Sequence, residues 1–317
     1  MASVISNPLS ADILNKISAT ILSIGLLSSP LHAQNSVEQA SIIKAQFIED
    51  IGASQRIDFS GKLRMLSQRI VAAGCNYAAG IDTTRSGAVL DATATEFQKI
   101  VDALEFGDPD LGIIGAEERR RTQVGISKLR ELWNPTYVTA QQIVDGDKTS
   151  ETVATLAAQS APLLEMAKLL VTEISGQYSD PTALLQADAL IIDIAGRQRM
   201  LAQRISKNVC LASMEINTET AVNELTTASH LFETSLMALR HGMEAAGVKA
   251  PPTEEIAVGL DVVIEDWDGI KPIVEQVIAG NDIDGEQREI MFNGSLMMTG
   301  DMNKVVGMYS EASKLGL

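Results

Sequence analysis

The chain is short of aromatic residues, histidine, cysteine and positive charge. Aromatics are 4% of 317 residues, while apolar residues make up 45% and include abundant Ala, Leu, Ile and Met. That balance favours packed helices over sheets. There are three histidines and two cysteines, too sparse for a metal set, since zinc sites usually take four ligands. No metal or cofactor is expected. No nucleophile–base pair and no phosphate loop is found, so no catalytic residues are assigned and the chain does not read as an enzyme. A thiol redox role for Cys75 and Cys210 is the one foothold for catalysis, and no Cys-x-x-Cys supports it. With 25 Lys and Arg against 41 Asp and Glu, the formal charge is −16. This argues against nucleic acid and against a polybasic membrane contact. Any anionic ligand must be held by locally placed cations, against the overall field.

Long apolar runs are also missing after the first 33 residues. Lys16 precedes an apolar stretch over residues 17–27, followed by Ser28-Ser29-Pro30-Leu31-His32-Ala33. The stretch is shorter than the roughly 20 residues a spanning helix needs. It has the layout of a signal peptide, residues 1–33, cleaved after Ala33. The mature protein is then expected in a periplasmic or secreted location; an uncleaved N-terminal anchor is the alternative.

What the chain does contain is one segment written twice. Ile57-Asp58-Phe59-Ser60-Gly61-Lys62-Leu63-Arg64-Met65-Leu66-Ser67-Gln68-Arg69-Ile70 returns, without a gap, as Ile192-Asp193-Ile194-Ala195-Gly196-Arg197-Gln198-Arg199-Met200-Leu201-Ala202-Gln203-Arg204-Ile205. Cys75 and Cys210 stand at the same offset of 135, as do Phe97, Leu104 and Gly107 with Phe232, Leu239 and Gly242. Trp133 matches Trp267 at offset 134, and Met166 and Lys168 match Met302 and Lys304 at offset 136. Two tandem copies are therefore expected, over residues 34–179 and 180–317.

Each copy reads as four helices. In the first they cover about residues 37–77, 87–106, 116–144 and 150–176. In the second they cover about 181–215, 218–246, 252–278 and 285–314, with Asp180-Pro181 as a cap and first-turn proline. Asn134-Pro135 reads as a kink, and Glu117-Glu118-Arg119-Arg120-Arg121 as a solvated helix start. The fold class is all-α: two tandem up-down four-helix bundles. A tight turn at residues 176–181 would set the two first helices parallel and side by side, so that one chain imitates a symmetric dimer.

On a helix, Phe59, Leu63, Leu66 and Ile70 share one apolar face, which belongs to the copy's own bundle. The other face carries Ile57, Gly61, Arg64, Gln68 and Cys75, and in the second copy Ile192, Gly196, Arg199, Gln203 and Cys210. Glycine at 61 and 196 permits close backbone approach. Arg64 and Arg199 then face each other across the dyad, where two guanidiniums ~6 Å apart repel by about 3 kcal/mol at an effective dielectric of ~20. A small planar oxyanion between the two forks reverses that sign. The plainer reading is that these arginines are solvated or paired with acidic residues. Gln68 and Gln203 read as interhelical hydrogen-bond partners first and ligand contacts second. Asp58 with Lys62 and Asp193 with Arg197 are i,i+4 pairs that support the helix. Arg69 and Arg204 point to their own bundles, Met65 and Met200 fill the core, and Trp133 and Trp267 anchor the third helices. Cys75 and Cys210 leave two readings, buried thiols or a disulfide; the latter requires Cα atoms within about 7 Å.

Gly196 to Arg204 closely resembles the Gly-Arg-Gln-Arg-Met-Leu-Ser-Gln-Arg signature of PilJ-type (type IV pili methyl-accepting chemotaxis transducer) N-terminal domains, and Gly61 to Arg69 resembles it with Lys62 and Leu63 in the variable places. The same Gly-x-x-Arg-Met pattern resembles the periplasmic sensor domain of NarX-like nitrate sensors. The resemblance implies a four-helix bundle that pairs through its first helix and holds one nitrate or nitrite on the dyad. It assigns the ligand to Gly61, Arg64, Gly196 and Arg199, with Gln68 and Gln203 beside them. No second membrane helix, HAMP-like coil or methyl-accepting region follows Leu317, so the expectation is an exported, soluble binding protein reporting to a membrane sensor or transducer. The alternative is an adaptor module of a chemotaxis or type IV pilus system without a small ligand.

Overall fold

The computed structural model describes the backbone of residues 30–178 and 186–316, and the side chains of residues 52–178, 188–313 and 315–316. Residues 1–29 of the segment read as a signal peptide, the Asp180-Pro181 cap and residues 179–181 of the expected turn lie outside the described residues. The chain divides into two units, residues 1–46 and 47–317. The described part of the first, from Pro30, is helical. The second holds both copies of the repeat.

Among the described residues there are eight α-helices and no strand. The first copy supplies α1 (Pro30–Ala78), α2 (Thr83–Phe106), α3 (Arg120–Val144) and α4 (Ser150–Tyr178). The second supplies α5 (Gln186–Ser213), α6 (Thr218–His241), α7 (Glu254–Ile278) and α8 (Gly285–Lys314). In the second bundle each helix packs on its chain neighbours and α5 closes the ring on α8. In the first, α2 packs on α3 and α3 on α4, and Gly74 of α1 faces Leu90, Ile143 and Leu156 from all three. The chain is thus two tandem four-helix bundles, as the two-copy pattern implies.

Local chemistry sets the helix ends. Asp82, at φ 34°, accepts from the Arg85 amide and starts α2 at Thr83, earlier than periodicity indicated. Asp284 and Gln287 form a reciprocal capping box at the start of α8. The sequence reading of the helix before residue 246 needs correction: α6 stops at His241, and residues 244–246 form a separate 3-10 turn. Gly242 turns the chain at φ 81°, and Met243 bridges to Val248. The first copy has the same loop, with Gly107 at φ 83° and Asp108 bridging Ile113. A side chain at Gly107 would also put a Cβ 2.6 Å from the Gly115 carbonyl oxygen, so only glycine fits.

The charged run at 117–121 is the second correction. Glu117 is buried, not solvated. Its carboxylate accepts from the Arg119 amide and from the Tyr178 hydroxyl, and pairs with Arg56 at 3.7 Å. Arg56 in turn donates to the carbonyls of Leu104 and Gly115. The cluster ties the loop before α3 to α1 and to the end of α4, and delays α3 until Arg120. Helix α3 continues through Pro135, whose missing donor costs it one bond of the ladder.

Each core centres on a tryptophan of the third helix. Trp133 stacks on Phe97 at 4.0 Å, and Trp267 meets Phe232 at 5.1 Å in a tilted arrangement. Both indoles are fully buried, as are Leu63, Leu66 and Ile70 on the apolar face of α1. Truncating either tryptophan would cost about 3–5 kcal/mol. Met65 and Met200 are buried in the same core.

Candidate functional site

Helices α1 and α5 lie side by side and parallel. Asp58 meets Arg199 and Arg64 meets Asp193, a reciprocal crossed pair, and further along both helices in the same direction Cys75 meets Cys210. The last contact is a disulfide with a Cα–Cα distance of 6.1 Å. It joins equivalent positions of the two copies and fixes the register of the pair. Gly61 and Gly196 lie on the facing sides. A Cβ on Gly196 would stand 3.6 Å from the Nη2 atoms of both Arg64 and Arg199. The two Nη2 atoms therefore converge on one point and are no further apart than twice that distance.

Both arginines are buried, at 7% and 4% exposure. Each Nε points back to the carbonyl three residues earlier, on Gly61 and Gly196. This backward lean is the ordinary direction of a long helical side chain. It brings each guanidinium to the level of the aspartate on the opposite helix. Arg64 Nη1 donates to Asp193 Oδ1 at 2.9 Å, and Arg199 Nη2 lies 3.7 Å from Asp58 Oδ1. The other oxygen of each aspartate faces the cation one turn along its own helix: Asp193 Oδ2 with Arg197 at 2.5 Å, and Asp58 Oδ2 with Lys62 at 3.9 Å. Four cations and two carboxylates leave the cluster with two surplus positive charges, inside a chain of net charge −16.

The two halves are not identical. Arg199 Nη1 donates to Asn303 of α8 at 2.5 Å, whereas the matching residue of α4 is Ala167. Burial pushes the Arg199 pKa down; Asp58 and Glu96 oppose the shift and Arg64 adds to it. Arg69 is also lowered by burial, with Glu96 opposing and Arg199 adding. Local carboxylates thus partly offset the cost of burying Arg199 and Arg69.

The site collects Gly61, Arg64, Gly196, Arg199, Cys75 and Cys210 along one seam. Gln68 and Gln203 do not hydrogen-bond across it. Gln68 donates to its neighbour Ser67, and Gln203 donates to the Ser295 carbonyl and to Thr299 of α8. A carbonyl oxygen is left without a partner on each. Asp58 and Asp193 do more than support their helices. Their recurrence at offset 135 was the available signal, but the i,i+4 partners already accounted for them. Asn303 gave no signal, because the first copy has alanine there.

A second buried charge group joins the bundles. Lys207 of α5 donates to Glu224 of α6 at 3.0 Å and reaches Ser160 of α4 at 3.5 Å. Arg204 and Asn208 also contact Glu224. Burial lowers the Lys207 pKa against the pull of Glu224. The first copy has Ala72 and Val89 at these two positions.

Among the described residues there is no group of three or more His, Cys, Asp or Glu side chains placed to hold a metal. Among them, too, no helix is long and apolar enough to cross a membrane. Comparison with curated proteins finds no match. The family of type IV pili methyl-accepting chemotaxis transducer N-terminal domains matches residues 50–159 and again residues 182–291. Each match contains one first-helix motif and its Gly-x-x-Arg-Met core, so the chain belongs to the PilJ family and carries its sensor domain in two tandem copies.

Proposed function

We propose that this chain is an exported sensor-type protein that recognises a small oxyanion, nitrate or nitrite, between α1 and α5. The observation carrying the reading is the convergence of two buried guanidiniums, Arg64 and Arg199, on the backbone of Gly196. A planar monoanion offers acceptors to both forks at once. Charge-assisted hydrogen bonds contribute about 1.5–3 kcal/mol each, and the net is smaller because ion and site must both be desolvated. Glycine at 61 and 196 leaves room beside the guanidiniums. Gln68 and Gln203, one turn along, are the next candidates for contact. The disulfide between Cys75 and Cys210 suits an oxidising compartment and agrees with export on a signal peptide of residues 1–33. The occupied site would be read by a membrane sensor or transducer.

Calorimetry of the mature chain with nitrate, nitrite and chloride tests the reading. Heat is expected with nitrate or nitrite, and Arg64→Ala and Arg199→Ala should each abolish it. No heat and no thermal shift with any oxyanion would remove the hypothesis. Binding that survives one of the two substitutions would show that the ligand is not shared.

A second reading, an interaction module, draws on an open groove of ≈ 450 Å³ between α2 and α3, lined by Gln98, Lys99, Phe106 and Tyr137. Phe106 is largely exposed there. On that reading no small ligand binds, and Phe106→Ala should weaken a protein contact.

A further inference from the structure

We infer that Asp58 and Asp193 are built-in competitors of the anion, exchanging with it on Arg64 and Arg199, so that they set its affinity. The inference rests on the anion reading above. Each carboxylate divides its two oxygens in the same way. Oδ1 faces the arginine of the opposite helix, and Oδ2 faces the cation four residues along its own. An incoming anion takes the donor held by Oδ1. The carboxylate remains paired through Oδ2 with Lys62 or Arg197 and is never left without a cation. The exchange needs only a side-chain rotation, and the helices keep their register.

Position supports the exchange. Asp58 and Asp193 are 42% and 33% exposed in their side chains, whereas Arg64 and Arg199 are 9% and 4% exposed. The carboxylates thus stand on the solvent side of the guanidiniums, where an arriving ion first meets them. Charge supports it too. The six groups carry a surplus of two positive charges, so one monoanion can take an arginine donor from Oδ1 while each carboxylate keeps a cation on Oδ2. The halves differ in strength. Asp193 holds Arg64 at 2.9 Å, while Arg199 stands 3.7 Å from Asp58 and spends its Nη1 on Asn303. Asp193 is therefore the stronger competitor. A carboxylate shares the planar, two-acceptor geometry of nitrate, which is why it can hold the place.

Calorimetry with nitrate compares the intact chain with Asp193→Asn, Asp58→Asn and the double variant, with Glu96→Gln as control. Glu96 acts on Arg199 and Arg69 only through space, so the control measures what a nearby lost negative charge does by itself. The double variant should bind nitrate about tenfold tighter or more, with Asp193→Asn supplying the larger share and the control changing affinity by less than about threefold. An independent readout uses Asp193→Ala and sodium formate: formate should raise the melting temperature of this variant more than that of the intact chain, by refilling the carboxylate's place. If the intact chain binds nitrate and the double variant gains no more than the control, the inference is overturned. Absence of any formate effect specific to Asp193→Ala also overturns it. Silent calorimetry throughout sinks the nitrate reading and the competitor role with it; formate rescue would then show only that the Asp193 carboxylate fills its place on Arg64.

Discussion

Arg199 donates to Asn303 at 2.5 Å, while the residue matching Asn303 in the first copy is Ala167. Two sequences that agree at the arginine thus differ at its support. Arg199 is tied to Asp58 and to α8, whereas Arg64 is tied to Asp193, which keeps a second cation in Arg197. Arg199→Ala should therefore cost more stability than Arg64→Ala, about 2 kcal/mol against about 1 kcal/mol. Denaturant melts of the two variants without added anion check the order; equal losses would mean that Asn303 does not hold Arg199.

The Lys207–Glu224 pair should behave as a partly buried ion pair whose halves cannot be removed singly. Glu224→Gln leaves Lys207 without a counter-charge and should cost about 2 kcal/mol, below the usual figure for a fully buried pair because 26% of the Glu224 side chain meets solvent. Replacing both residues by those of the first copy, Lys207→Ala with Glu224→Val, should recover most of that loss. Thermal melts of the three chains decide it, and a double variant worse than Glu224→Gln would refute it.

Reduction of the disulfide should destabilise the chain without unfolding it. The bond spans a sequence separation of 135 residues, and a cross-link contributes about 2–5 kcal/mol by restricting the unfolded chain, with long loops at the upper end. At about 2–4 °C per kcal/mol for chains approaching this size, Cys75→Ser with Cys210→Ser should melt roughly 5–15 °C lower. Mass spectrometry of the intact chain with and without reductant and alkylation verifies the bond directly.

Alkaline pH should weaken the fold through two tyrosines. Burial first, and then its hydrogen bond to Glu117, pushes Tyr178 up to about 12; burial pushes Tyr309 up to about 12 as well. A raised folded-state pKa means that the folded chain holds its proton more tightly than the unfolded chain does. The associated stability is complete below about 10 and is lost as pH rises toward 12. Tyr178→Phe should cost about 1 kcal/mol at neutral pH and flatten the alkaline decline. A pH series of denaturant melts checks this; a decline unchanged in slope would rule out Tyr178 as its source.

Much of this was legible before any coordinates. The helix pattern, the two copies and the face bearing Gly61, Arg64 and Cys75 follow from 3.6-residue periodicity and from polar letters that packing alone would not repeat. Other features were hidden for identifiable reasons. Asp58 was already explained by Lys62, its neighbour along the helix, and periodicity says nothing of which residues meet across two helices. Gln203 shares a face with Arg199 in projection, yet its amide goes to α8, because a face of about half a helix touches more than one neighbour. Glu117 looked solvated among four other charges. Only the tertiary fold brings Arg56 and Tyr178 to it from positions 61 residues away on either side. Lys207 and Glu224 carried no sign at all, being differences between the copies.

Because both first helices belong to one polypeptide and are joined at Cys75 and Cys210, the two halves of the site never have to find each other. A pair assembled from separate chains comes apart on dilution, and its affinity for a ligand falls with protein concentration. Here the partner half is always present at the high local concentration that a tether provides. The chain's response should be the same at nanomolar as at micromolar protein. Each half is also free to change alone, as Asn303 and Ala167 already have, in a way that a pair of identical subunits cannot.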